Sequence, residues 1–149
     1  MPSIRRRRRW ADGDDGSAST ELVLVTPLLV VLLLFVVLAG RLAHADLQVT
    51  DAAHQAARAA SLSRSAADAR TAALHTAQAS LADQGLTCTA LTVDTDTSRF
   101  RPGGSVTVSL TCAVSLADLA GLGVPGTTAM NARHTSPLDR FRGTTGARP

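Results

Sequence analysis

Nineteen consecutive residues, Leu22 to Gly40 (LVLVTPLLVVLLLFVVLAG), carry no charge. At about 1.5 Å per residue a helix of this length spans roughly 29 Å, close to the hydrocarbon thickness of a bilayer. Its eight Leu, six Val and one Phe, at about −0.3 to −0.6 kcal/mol each, sum to about −5 to −9 kcal/mol for insertion. The competing reading is a buried core helix. A chain of 149 residues has too little other apolar surface to enclose such a segment on every side. The run reads as a membrane span, with Thr26 and Pro27 expected in its first turns, where a missing amide costs least.

Charge sets the expected orientation. All fifteen basic residues are Arg, and five of them form one block, Arg5–Arg9, ahead of the span. The flank beyond the span offers Arg41, balanced by Asp46 and Asp51. The positive-inside rule then keeps the N-terminus cytoplasmic and exports residues 41–149, giving a single-pass cell-membrane protein. A nucleic-acid reading of the Arg block fails on this placement, because the block is a topology signal beside a spanning helix. We expect no nucleic-acid partner.

The junction ahead of the span is DGDDGSASTE, and Glu21 is the only Glu in the chain. It stands five residues after Gly16. One reading of the polar start is local: Ser19 or Thr20 caps the helix and Glu21 complements its positive end. That reading does not require Gly16 at this spacing. The arrangement also resembles the class III signal of type IV pilins and their relatives, which prepilin peptidase cuts after a Gly. Here the resemblance implies cleavage between Gly16 and Ser17. It also implies a role for Glu21 in assembly, its carboxylate pairing with the freed α-amino group of a neighbouring subunit to set axial register. An unpaired acid inside a bilayer costs about 2.5–3.5 kcal/mol, which favours finding that partner.

Taken together, GSASTELVLVTPLLVVLLLFVVLAGR, the following VTDAAHQAARAAS and the C-terminal TTAMNARHTSPLDRFRG resemble a TadE-like protein of tight-adherence (Flp) pilus assembly. The resemblance runs from about Gly16 to Gly143 and is strongest through Ala60. It implies a pseudopilin-type subunit whose partners are the lipid bilayer, other pilin-like or pilus-assembly subunits, and prepilin peptidase. A second function stays open: a small anchored or secreted extracytoplasmic binding module with no filament role. Ala43-His44-Ala45 offers a signal-peptidase box before Asp46 that would serve the secreted form.

Beyond the span the chain reads as α+β, pilin-like: a transmembrane helix continuing into a long Ala-rich helix packed on a small antiparallel sheet. The expected divisions are an Arg-rich cytoplasmic leader (1–16), the transmembrane helix (17–40), the Ala-rich helix (41–84), a β domain (85–143) and a tail (144–149). From Arg41 to Asp83 there is no Gly or Pro and the composition favours helix, with a break expected near Ser61–Ser65 and a stop at Gly85. The Ala-rich face suits a helix bundle or filament core, and equally suits packing on the chain's own sheet. TCTALTVDT and SVTVSLTCAVSL alternate with period two, and the Pro102-Gly103-Gly104 stretch supplies the turn between them. We expect a hairpin whose paired residue numbers sum to about 200, placing Cys88 opposite Cys112 and Thr92 opposite Val108. Val106, Val108, Leu110 and Val114 then share the helix-facing side. A third strand is expected over Thr127–Thr135.

Cys88 and Cys112 are the only cysteines. Export permits their oxidation to a structural disulfide, and two reduced buried thiols are the other possibility. Two Cys without clustered His do not make a closed metal site. Gly121, Gly123 and Gly126 satisfy G-x-G-x-x-G, but Pro125 interrupts the motif and too few residues follow for a βαβ unit, so GLGVPG reads as a loop. His44, His54, His75 and His134 are scattered. Asp94 and Asp96 project to one face of a strand and read as a solvated hairpin end. Nothing assembles nucleophile, base and oxyanion donor. We expect no catalytic, cofactor-binding or metal residues, no cofactor, no small-molecule substrate and no enzymatic activity.

Overall fold

The computed structural model describes residues 15–121 and 125–141. The architecture is α+β, with helix α1 (Asp15–Leu62), helix α2 (Ala66–Asp83), strand β1 (Ala90–Asp96), strand β2 (Ser105–Ser115), a short helix α3 (Leu116–Ala120) and strand β3 (Thr127–Pro137). The Arg5–Arg9 block, Gly123 of the GLGVPG loop and the 144–149 tail lie outside the described residues.

The chain divides into two compact units at Val37/Leu38. In the first, α1 presents apolar side chains outward, Leu28 and Phe35 each being 67 % exposed. Its most apolar 18-residue window has a mean hydropathy of 2.5, with none of it buried within the protein, so α1 is long and apolar enough to cross a membrane. Pro27 lies inside the helix, not in its first turn as the sequence suggested, because α1 already begins at Asp15. Lacking an N–H, Pro27 cannot donate to the Val23 carbonyl one turn back.

The second unit buries its core between two helices and one sheet face. On α1 the buried positions are Ala45, Val49, Ala52, Ala53, Ala56, Ala57, Ala60 and Ser61, a stripe with helical period. On α2 they are Ala69, Ala73, Ala77, Ser80 and Leu81. The break between the helices falls at Ser63–Ser65, within the stretch expected from the sequence. Ser65 caps α2: its hydroxyl accepts from the Asp68 amide (3.1 Å) and donates to the Asp68 carboxylate (2.8 Å), so one open amide of the first turn is satisfied and the capping hydroxyl is itself held in place. At the other end Gly85 adopts φ +71°. The amides of Gly85 and Leu86 then donate back to the Ala82 and Leu81 carbonyls, the Schellman closure that a left-handed glycine permits.

The sheet is an antiparallel meander in the order β1-β2-β3. Val106, Val108, Leu110, Cys112 and Val114 of the central strand are buried, as the alternation predicted, and join the Ala stripes in one hydrophobic cluster. The register differs from the expected one. Leu91 pairs with Cys112 and Val93 with Leu110, so paired numbers sum to 203 rather than 200. An odd shift exchanges the two faces of a strand. The sum-200 register would have turned Thr92, Asp94 and Asp96 toward the core; the observed one turns Leu91 and Val93 inward and leaves the two carboxylates in water. The hairpin connection closes with Gly104 N–H donating to Arg101 C=O (2.7 Å), Pro102 second and Gly103 third at φ +73°, a type II turn. A side chain at Gly104 would collide with the Arg99 carbonyl.

The strand pattern of SVTVSLTCAVSL continued through Leu116, but β2 stops at Ser115 and α3 follows. The Leu116 amide donates instead to the Gly126 carbonyl (2.9 Å). The third strand forms as expected and extends to Pro137.

The Ala stripe of α1 is wholly consumed inside this unit, most of its members being 0 % exposed. Of the two uses the sequence allowed, packing on the chain's own sheet is the one realised. Ala56→Leu would place three extra carbons in a filled seam and should lower stability by about 1–3 kcal/mol. A fall in the denaturant midpoint of the purified full-length protein checks this, with exposed Ala82→Leu as the control.

Candidate functional site

Three groups of residues are candidates for chemistry or recognition. The first is the N-terminal junction. Gly16, Ser17 and Glu21 all lie in the first two turns of α1, whose backbone is helical from Asp15. Ser19 and Thr20 therefore stand inside the helix and do not cap it, which corrects the local reading of this polar stretch.

The second is the disulfide. Cys88 and Cys112 are bonded, with Cα atoms 5.4 Å apart, inside the usual range for such bridges. They are not directly opposed. Cys112 pairs across the ladder with Leu91 and Met130, while Cys88 precedes β1. Thr89, between Cys88 and β1, anchors the approach by donating its amide (2.7 Å) and hydroxyl (2.9 Å) to the Ala113 carbonyl.

The third lies on the face of the sheet away from the helices, at the hairpin end. Ser105 and Thr107, both half-buried, are joined there by exposed Asp96, Arg99, Arg133 and Thr135 around a cleft of ≈ 320 Å³. The ladder fixes its base: Thr107 pairs with both Asp96 and Thr135, and the two threonine hydroxyls are hydrogen-bonded at 2.9 Å. The Ser98 amide donates to Asp96 Oδ1 (2.9 Å). That bond first, then the Ser98 hydroxyl, holds the Asp96 carboxyl below its ordinary value, with smaller contributions from the Arg133 and Arg99 charges. Asp94 and Asp96 thus project to one solvated face, as read from the sequence. Arg99 and Arg133 were not singled out there, because only the register of β2 against β3 brings Arg133 beside Ser109, two pairs along from Thr107 and on the same face.

Sequence reading also left His54 and His134 apart. The structure places their rings edge to face, centroids 4.4 Å apart, where α1 passes over β3. His44 is on the helix surface, beside Gln48. Among the described residues no group of three or more His, Cys, Asp or Glu could hold a metal ion.

Among the described residues, one helix that is apolar, exposed over its first half and long enough to cross a membrane is joined in sequence to a disulfide-bridged α+β unit, an arrangement consistent with a membrane anchor. Residues 16–58 match the family model described as TadE-like protein. That segment is TadE-like, and it contains Gly16, Ser17, Glu21 and the first part of the buried Ala stripe. The family is one of proteins associated with Tad pilus systems. The match does not extend to the C-terminal TTAMNARHTSPLDRFRG. No curated protein and no solved structure matches the chain.

Proposed function

We propose that the protein is a non-catalytic subunit of pseudopilin or minor-pilin type, acting in Flp/tight-adherence pilus assembly or a related secretion machine. The observation that carries the reading is the TadE-like match, which begins at Gly16 and takes in the cleavage position, Glu21 and the apolar helix. The N-terminus is cytoplasmic, on the argument of the Arg block ahead of the span, and the second unit is extracytoplasmic, in keeping with its disulfide. Prepilin peptidase cuts between Gly16 and Ser17. The helix holds the subunit in the bilayer until extraction, and Glu21 pairs with the α-amino group of a neighbouring subunit to set register.

A second reading, an anchored binding module outside any filament, is favoured by one observation: the Ala stripe that would suit a filament core is buried in the protein's own second unit. The two readings separate at the N-terminus. Intact mass and N-terminal sequencing of protein from native membranes should give a start at Ser17. Glu21→Ala should leave that start unchanged while reducing co-purification with other pilus components at least tenfold. A start at Asp46 would make this a secreted domain, and an uncut chain a plain anchor. Undiminished co-purification of Glu21→Ala would remove the register role.

A further inference from the structure

The cleft at the hairpin end of the outer sheet face plays no part in anchoring or register. Its lining is entirely polar: two guanidinium groups, one carboxylate and four hydroxyl-bearing side chains. Among the described residues no hydrogen bond or close ion pair engages the Arg99 or Arg133 guanidinium, so their donors are open to an incoming group. Planar guanidinium donors match a carboxylate bidentately. The Asp96 carboxylate, kept ionised by Ser98, adds an acceptor and repels a small, highly charged anion. The hydroxyls of Ser105, Thr107 and Thr135 can donate and accept in turn. No apolar side chain lines the space, so a hydrophobic ligand gains nothing there.

We propose that this cleft binds a carboxylated sugar unit, its carboxylate held by Arg99 and Arg133 and its hydroxyls by Asp96 and the threonine and serine side chains. One component alone would leave the site half-used. A neutral sugar leaves the net positive charge of two guanidinium groups against one carboxylate unmatched, and a bare carboxylate uses neither the remaining acceptor capacity of Asp96 nor the Ser105 hydroxyl. The volume of ≈ 320 Å³ is at the small end of ligand sites and has room for one sugar ring. The base is preformed, because the Thr107–Thr135 bond and the three-strand ladder fix its geometry before any ligand arrives. This inference stands apart from the pilus reading, since it uses only the second unit's own side chains.

The test is a titration of the full-length protein in detergent micelles, at constant ionic strength, with D-galacturonate, D-galactose, acetate and inorganic phosphate, followed by NMR signals of the cleft residues. Galacturonate should bind saturably, and the other three at least tenfold more weakly. Arg133→Ala should weaken galacturonate at least fivefold. Asp96→Asn, which keeps an acceptor for the Ser98 amide, should reduce the preference for galacturonate over acetate. Retained strand amide protection in each variant shows that the sheet is intact. Absence of saturable galacturonate binding, phosphate or acetate binding as tightly, or an Arg133→Ala protein with unchanged affinity would each overturn the proposal.

Discussion

Leu110→Ala should destabilise the second unit by about 2–5 kcal/mol, the cost of lost transfer energy plus the cavity left behind. Leu110 is 1 % exposed and heads the fully buried side chains by volume. It sits mid-way along the central strand between Val93 and Ala132. The cluster around it is built mostly of Ala and Val, short side chains on fixed backbones that cannot reach in to fill the hole. Small domains have only about 5–15 kcal/mol of net stability, so this one substitution removes a large fraction. Amide exchange of β2 in the full-length protein measures the loss. Leu74→Ala, at a position already 42 % exposed, should cost under about 0.5 kcal/mol. A loss below about 1 kcal/mol for Leu110→Ala would mean that the helices close onto the sheet more readily than their packing indicates.

Replacing both cysteines, Cys88→Ala with Cys112→Ala, should cost about 3 kcal/mol through release of a closed loop of about 25 residues in the unfolded chain. A further share comes from the buried Cys112 side chain. The loop term is reproduced without mutation by a strong reductant, which breaks the same bond and leaves the packing atoms in place. The comparison separates the two contributions. Reduction that left the unfolding midpoint unchanged would show that β1 is held by its ladder and by Thr89 alone.

Element identity was legible in the sequence where periodicity was strong. The apolar run, the Ala-rich helices and the alternating β2 each announce themselves by composition and period. The break after α1 was visible as a cluster of serines, whereas the Ser65 cap of α2 emerged only from the structure. Register was not legible. An eight-residue connection does not fix strand pairing as a two-residue turn would, and the expected sum of about 200, which set the cysteines opposite each other, was three short of the observed 203. The carboxylates of Asp94 and Asp96 decide against that alignment, since it would send them into the core. The cleft was hidden for the same reason: Arg133 and Asp96 are far apart in the chain and meet only once both ladders are set. The start of α1 was also missed. Polar residues ahead of an apolar run look like a cap, but the helix begins before them at Asp15.

The bridge has a topological consequence. Cys88 and Cys112 enclose the whole of β1, the exposed Arg101–Gly103 tip and β2 as far as Cys112 within one covalent ring. A peptide bond severed at that tip opens the ring without dividing the molecule. Both new ends stay tethered to the central strand, so the cleft could be edited at its rim while the protein behind it remains a single covalent body.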